Sequence, residues 1–346
     1  MIDLRDRIIL DCIKKTGGCS SKEVHDNVDV AVSYATLKRI LSRLTAENLV
    51  STVGQRKGTK YIISPAFELL EPIEIEKYYE KEVDERDIKT GFNFSIINDV
   101  LARYSVFTEA ELDKLSKLQT KFKSNISQLS AIEFKKEFER LAIDLSWKSS
   151  QIEGNTYSLL ETERLLKEKE TAAGKTKEEA VMLLNHKDAL DFIIENLDYL
   201  NPLTISKIED IHSMLTKELS VERSLRKRRV GISGTNYRPL DNEFQIAEAL
   251  RDSCNVINTK ESVFEKALLA LVLVSYIQPF MDGNKRTARI VSNAILMNEE
   301  HCPLSFRTVG SVDYKKAMLL FYEQNNISAI KEIFINQFEF AVETYF

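Results

Sequence analysis

The sequence predicts a mostly α-helical protein built from a small basic head and a larger acidic body. Three observations carry this. The 346 residues include only 11 Gly and 6 Pro, set among long runs of helical hydrophobic period. At 43% apolar and 29% charged, the composition is that of an ordinary globular protein. The charge is uneven: residues 1–64 hold 11 Lys+Arg against 7 Asp+Glu, whereas the whole chain is at −5. The remainder then carries −9, which suggests two jobs in one chain. No apolar run approaches the ~18 residues of a membrane span. "MIDLRDRIIL", with two aspartates in its first six residues, does not read as a signal peptide, so a cytoplasmic location is expected. Cys12, Cys19, Cys254 and Cys302 lie far apart without a CxxC pair, so free thiols are expected and a zinc site is not.

Along the head, Leu4, Ile8, Ile9 and Ile13 form one stripe of a first helix over 3–16. "GGCSS" breaks it, and Ser20 or Ser21 can cap a second helix with Glu23 close behind. "VSYATLKRILSRLTAENL" predicts a third, with Leu37, Ile40, Leu41 and Leu44 inward and Ser33, Tyr34, Thr36, Lys38, Arg39 and Arg43 outward. "VSTVGQRKGTKYIIS" reads as two short strands around a Gly54–Gly58 turn, with Arg56, Lys57 and Lys60 near the tip. This pattern resembles the winged helix-turn-helix domain, which implies a third helix in the DNA major groove and wing contacts to phosphate. A protein-interaction wing fits the same pattern. The modest charge excess implies weak monomeric DNA binding, so a homodimer would be needed for useful affinity.

The expected boundaries are 1–65 for the winged helix, 66–95 for a connector and 96–346 for the body. The connector "EPIEIEKYYEKEVDERD" has eight acids against three bases and reads as a solvated linker with an extended start. In the body, "SVFEKALLALVLVSYI" is apolar nearly all round and predicts a buried helix. Pro279 ends it, "MDGNKR" follows, and "TARIVSNAILMNEE" starts another helix. A turn at Gly283 and Asn284 can aim successive N–H groups into one concavity. That concavity opens on a helix N-terminus, where the macrodipole favours anions. Lys285, Arg286 and Arg289 add positive charge. The Asp282 carboxylate would oppose an anion unless a divalent cation lies between them, a role Mg²⁺ fills in phosphate sites. The stretch therefore reads as a seat for a polyphosphate with Mg²⁺. It lacks the GxxxxGK[ST] of a Walker loop.

"YIQPFMDGNKRTARI" closely resembles the Fic-family signature HxFx[D/E]GN[G/K]RxxR, with Phe280, Asp282, Gly283, Asn284, Arg286 and Arg289 in register. "SSQIEGN", Ser149 to Asn155, is similar to that family's inhibitory helix motif. "RRVGISGTNYRPL", Arg228 to Leu240, resembles its flap hairpin. The resemblance spans roughly residues 95–346. It implies a helical Fic fold with a small β-hairpin flap, and transfer of AMP from ATP with Mg²⁺ to a protein hydroxyl, on a target or on itself. Carried over, Asp282 would hold Mg²⁺, while Gly283, Asn284, Lys285 and Arg286 would cradle phosphates. Arg289 would meet either a phosphate or the inhibitory Glu153, with Ser149 in the same motif. Ile232, Gly234, Thr235 and Tyr237 would form the flap that aligns a target backbone. Tyr314 and Tyr322 would line an adenine pocket or simply pack in the core.

Two departures stand out. Gln278 occupies the position of the family's histidine, the general base. A carboxamide hydrogen-bonds but accepts no proton near neutral pH, and losing a general base costs about 10²–10⁴ in rate. Lys285 replaces the commoner glycine, resembling the Doc-like branch that transfers phosphate, so the transferred group stays open. His25, His186, His212 and His301 all lie outside the motif. His186 and His212 belong to the body and are expected in core or surface roles. A nucleotide-sensing DNA-binding regulator without catalysis is the alternative to the transferase.

Overall fold

The structure is a computed structural model that describes residues 4–346, apart from the Lys57 side chain. The chain divides into two compact units, Met1–Pro72 and Ile73–Phe346.

The first unit holds α1 (Leu4–Thr16), α2 (Ser21–Asn27), α3 (Tyr34–Ala46), β1 (Val50–Val53), β2 (Lys60–Ile63) and α4 (Pro65–Leu70). Ser20 and Glu23 form a reciprocal capping box that starts α2, and the Ser33 hydroxyl caps α3. Ile9, Ile13, Val24, Leu37, Leu41, Leu44 and Val50 meet in one core, closed by Phe67 of α4. The strands pair antiparallel, with Val50 opposite Ile63 and Val53 opposite Lys60. Gly54 turns the hairpin at φ +84, where a Cβ would come within 2.5 Å of the Gly58 carbonyl oxygen, so the position requires glycine. Arg43, expected to face outward, is half-exposed, yet its guanidinium spans both oxygens of the buried Asp6 at 2.7 and 2.8 Å.

The regular elements of the second unit are all helical: α5 (Ile75–Tyr79), a π-helical turn at Ile96–Leu101, α6 (Glu109–Ile126), α7 (Ala131–Ile152), α8 (Leu159–Glu168), α9 (Lys177–Glu195), α10 (Ile205–Leu215), α11 (Glu243–Thr259), α12 (Val263–Ile277), α13 (Asn284–Asn298), α14 (Ser311–Gln324) and α15 (Ser328–Thr344). Capping boxes start four of them, at Thr108–Glu111, Ser130–Glu133, Ser158–Glu161 and Thr176–Glu179. These boxes satisfy N–H groups that the first helical turn leaves without partners. The predicted apolar helix is α12, buried from Phe264 to Ile277 except at Lys266. It packs along α13 and against α11 and α14, while α7, α9 and α10 also flank α13. The α12–α13 junction is thereby held from several sides.

The flap departs from the expected hairpin. Among the described residues the only sheet is β1–β2, and Arg228–Leu240 is an irregular loop turning at Gly234. Its backbone groups bond to side chains and to distant segments instead of to each other. Arg226 donates to the carbonyls of Arg228 and Leu240, and the Arg238 amide donates to the Thr90 carbonyl at 2.8 Å. The connector also differs from a solvated linker: Tyr79 and Arg86 are largely covered, and Tyr78 and Tyr79 bond to α14.

Candidate active site

α12 stops at Gln278, which takes a left-handed conformation at φ 51 just ahead of Pro279. Gly283, at φ +80, then opens α13. A Cβ on Gly283 would stand 3.3 Å from Thr216 Cγ2 and 3.4 Å from the His212 ring, so both conformation and space demand glycine. Asn284 knots the loop between them. Its Oδ1 accepts from the Phe280 amide at 2.8 Å, and its Nδ2 donates to the Phe280 carbonyl at 2.9 Å and to Gln278 Oε1 at 3.0 Å. Gln278 Nε2 donates to the Ser275 carbonyl at 2.7 Å.

The His212 ring underlies the loop. It stacks on Phe280 with centroids 3.6 Å apart and planes 7° apart, and donates from Nε2 to the Asp282 carbonyl at 2.9 Å. Burial pushes its pKa down to about 4, so the ring is neutral at pH 7. His186 is likewise buried, pushed down to about 3 by burial and then by the charges of Arg289 and Arg286. Arg226, fully buried, reaches the Gln278 carbonyl at 2.6 Å, and its amide donates to the Pro279 carbonyl at 2.9 Å. The expectations above did not mark His212 or Arg226 as supports of this loop. Arg226 sits in "SLRKRRV", a basic run that gives no local sign of which residue turns inward.

Electrostatically, α13 begins the wrong way round. Its opening turns carry Lys285, Arg286 and Arg289 and its first turn has no acid, whereas a helix N-terminus favours negative charge. The anion that compensates is Glu153, the C-cap of α7. Its Oε1 accepts from Arg289 Nη2 at 3.0 Å and its Oε2 from Lys285 Nζ at 3.4 Å. Burial works to raise the Glu153 carboxyl, but the charges of Arg289 and Lys285 outweigh it and hold the group below the usual carboxylate range. Arg289, fully buried, is further fixed by Ser149, donating to its Oγ at 2.9 Å and its carbonyl at 2.8 Å. Arg286 is also buried and donates from Nη2 to Asp282 Oδ2 at 3.0 Å, while its Nε and Nη1 find no partner among the described residues.

One cavity of about 210 Å³ gathers most of the expected residues. Glu153, Ile232, Gln278, Asp282, Gly283, Asn284, Lys285, Tyr314 and Tyr322 line it. Tyr314 and Tyr322 therefore belong both to the core and to the cavity wall. Ser149, Arg286 and Arg289, all buried, stand outside the lining, as do Gly234, Thr235 and Tyr237, which shape the flap. Tyr237 is buried, stacked on Tyr276, and donates from its hydroxyl to the Tyr276 carbonyl at 3.0 Å. The Thr235 hydroxyl accepts from the Tyr237 amide at 3.1 Å. For a metal, the wall offers the Asp282 carboxylate, two-thirds exposed, beside Glu153, whose carboxylate is held by Arg289 and Lys285, and no group of three or more His, Cys, Asp or Glu is found among the described residues. One carboxylate fits a Mg²⁺ that arrives with phosphates and keeps water ligands, not a resident metal in a protein cage. No helix of the described residues is long and apolar enough to cross a membrane.

Residues 202–296 match the Fic/DOC family. The chain is 30% identical over 181 residues to "Protein adenylyltransferase Fic" of Nematostella vectensis, covering 49% of this chain and 40% of that protein. It is 27% identical over 171 residues to "Protein adenylyltransferase fic-1" of Caenorhabditis elegans, covering 47% and 33%. The match thus spans two fifths or less of these relatives' length. In fold, the chain is similar to the solved Fic-1 of C. elegans, with a TM-score of 0.60 at 20% identity over 68% of this chain and 72% of that one. It is also similar to a Fic family protein from Desulfovibrio desulfuricans, with a TM-score of 0.59 at 18% identity over 69% and 74%. Residues 202–296 thus match the Fic/DOC family within a fold similar to that of solved Fic proteins, and the curated proteins the chain is similar to are protein adenylyltransferases.

Proposed function

We propose that this protein binds ATP in the cavity between Glu153 and the 278–284 loop, that Glu153 holds it in an inhibited state, and that it descends from transferases of AMP onto protein hydroxyls. The observation that carries the reading is the double hold of Arg289 and Lys285 on Glu153 at the head of α13. The same cations, with the unpartnered Nε and Nη1 of Arg286, are the groups a triphosphate would use. Asp282 would hold Mg²⁺, which would offset charge between the carboxylate and the phosphates. In the transfer, a target hydroxyl oxygen bonds to the α-phosphorus and the bond to pyrophosphate breaks. Asn284 and Arg286 hold phosphate, and the Gly283–Arg286 backbone offers donors at a helix N-terminus. The hydroxyl proton has no acceptor at position 278, because both ends of the Gln278 carboxamide are bonded within the protein. The proton must then pass to water, so transfer is slow, and the acceptor of the transferred group is a target protein or the chain itself. Lys285 leaves open whether AMP or another phosphate-bearing group moves. Calorimetry of ATP with Mg²⁺, with and without Glu153→Gly, tests the reading: no binding to either form overturns it.

A second reading rests on the first unit, residues 1–72, as a winged-helix DNA-binding head. Its support is the Ser33-capped α3, which exposes Tyr34, Lys38 and Arg39 beside the β1–β2 hairpin. Arg43 adds less than expected, since Asp6 and Glu47 already hold its charge. In this reading ATP occupancy biases DNA binding by a homodimer. A salt-sensitive DNA affinity that does not move when ATP and Mg²⁺ are added rejects it.

A further inference from the structure

The acidic connector reads from its composition as a solvated tether, yet in the structure it is bolted to α14 and to the flap, two elements that each give other residues to the cavity wall. Arg86 is the bolt. Its side chain is 5% exposed, and its Nη1 donates to both oxygens of Glu323, itself 0% exposed, at 3.1 Å. Its Nη2 donates to the Gly234 carbonyl, the turn of the flap, at 2.8 Å. The guanidinium also lies 4.9 Å from the Tyr79 ring centroid. Around it, Tyr78 donates to Glu323 at 2.7 Å and Tyr79 to the Lys316 carbonyl at 2.8 Å, both on α14. Two further ties reach the flap: Asn236 Nδ2 donates to Asp84 at 2.9 Å, and the Arg238 amide to the Thr90 carbonyl at 2.8 Å.

The flap makes no ladder of its own; Arg226 holds the carbonyls of Arg228 and Leu240, and Tyr237 anchors the returning arm on Tyr276. The connector adds ties at the turn and the returning arm, at Gly234, Asn236 and Arg238, none of which lines the cavity. Val230 to Ser233, on the arm before the turn, do line it, and no connector tie reaches them. We propose that Ile73–Gly91 is a strap that sets the flap over the cavity, with Arg86 as its positioning residue. Its functional meaning rests on the reading that the flap faces a nucleotide and a target, but the fastening can be tested without that reading.

The test uses the full chain carrying Glu153→Gly, the form expected to bind ATP more tightly, with Arg86→Lys added. Lysine keeps the charge but offers one nitrogen in place of the two that reach Glu323 and Gly234 separately. Backbone amide exchange of Gly231–Asn236 should speed up by about tenfold or more, with the Lys285–Arg289 amides unchanged and the Kd for ATP with Mg²⁺ within about twofold. A merely structural role would loosen α13 and weaken ATP binding to the same degree, and that outcome overturns the proposal. So does unchanged flap exchange. If Arg86→Lys does not fold, the pair Arg86→Met with Glu323→Gln leaves no buried charge and carries the same test. Asn236→Ala, at an exposed tie, should give a smaller acceleration confined to the flap. Absence of ATP binding in every form would overturn the nucleotide reading, while flap exchange still decides the strap.

Discussion

Replacing Glu153 with glycine is the sharpest test of how the cavity is closed. The carboxylate is one-fifth exposed and holds two cations, Arg289 at 3.0 Å with no exposure and Lys285 at 3.4 Å with about one-fifth. A hydrogen bond to a charged group contributes about 1.5–3 kcal/mol. The Lys285 contact is long and reached by water, so the Arg289 bond dominates, and about 2 kcal/mol is the reasonable magnitude of the hold. A phosphate that must displace Glu153 loses that amount, and one that finds Arg289 free does not. At 1.4 kcal/mol per decade, Glu153→Gly should tighten ATP binding by roughly 30-fold. The variant should stay folded, because Arg289 keeps both bonds to Ser149 and so is not left without partners. Titration calorimetry with ATP and Mg²⁺ reads the change directly, and Glu153→Gln, which keeps the shape but removes the charge, should fall between the two. Equal Kd values in all three forms would refute the competition argument, whatever the absolute affinity.

Other expectations follow from the same geometry. In a Glu153→Gly chain, Gln278→His should raise incorporation of label from α-labelled ATP into protein by about 10²–10⁴; equal labelling with glutamine in place would show that no base at 278 is needed. Gly283→Ala should cost about 1–2 kcal/mol for the left-handed backbone alone, with added crowding against Thr216 and His212, read as a lower urea midpoint and weaker ATP binding. Acid should destabilise the helical unit. His212 and His186 titrate near 4 and 3 when folded, below the ordinary 6.5, so each contributes stability that is present above pH 6.5 and is lost as pH falls through the folded values. The slope is at most about 1.4 kcal/mol per pH unit for each ring. Urea unfolding followed at Trp147, the single tryptophan, should show it, and the acid limb should flatten in His212→Gln.

What could be read from the sequence was what is local along it. The apolar α12, the Ser20 cap with Glu23 and the Pro279 stop are short-range patterns, and so is the turn proposed as a phosphate seat, whose Gly283, Asn284, Lys285 and Arg286 are consecutive. Glu153 lies 136 residues from Arg289, and only the family resemblance joined them in advance. His212 is 70 residues from the carbonyl it holds, Arg226 is 52 residues from its own, and Arg86 is 237 from Glu323. Nothing in their neighbourhoods distinguishes them from surface charges or ordinary core rings. The flap shows the same limit from the other side. Gly234 turns the chain at positive φ, but the expected hairpin strands did not form, because their backbone groups found partners in Arg226, Arg86 and Thr90.

Gln278 separates the shape of the loop from its chemistry. Its carboxamide presents an acceptor to Asn284 and a donor to the Ser275 carbonyl from one carbon. An imidazole carries its two nitrogens on different sides of a ring and cannot make both bonds from the same place. A histidine here would give up at least one of them. Asn284 would still hold the loop, because its two bonds to Phe280, at 2.8 and 2.9 Å, do not involve position 278, and the Arg226 contact is to the backbone carbonyl of residue 278. The stacked His212 beneath Phe280 is untouched as well. The loop is thus fixed by groups other than the one that would take the proton, so a chain with glutamine at 278 can keep a formed phosphate seat while losing most of its rate. Binding and transfer should accordingly respond to different substitutions: Glu153 and Gly283 to the first, position 278 to the second.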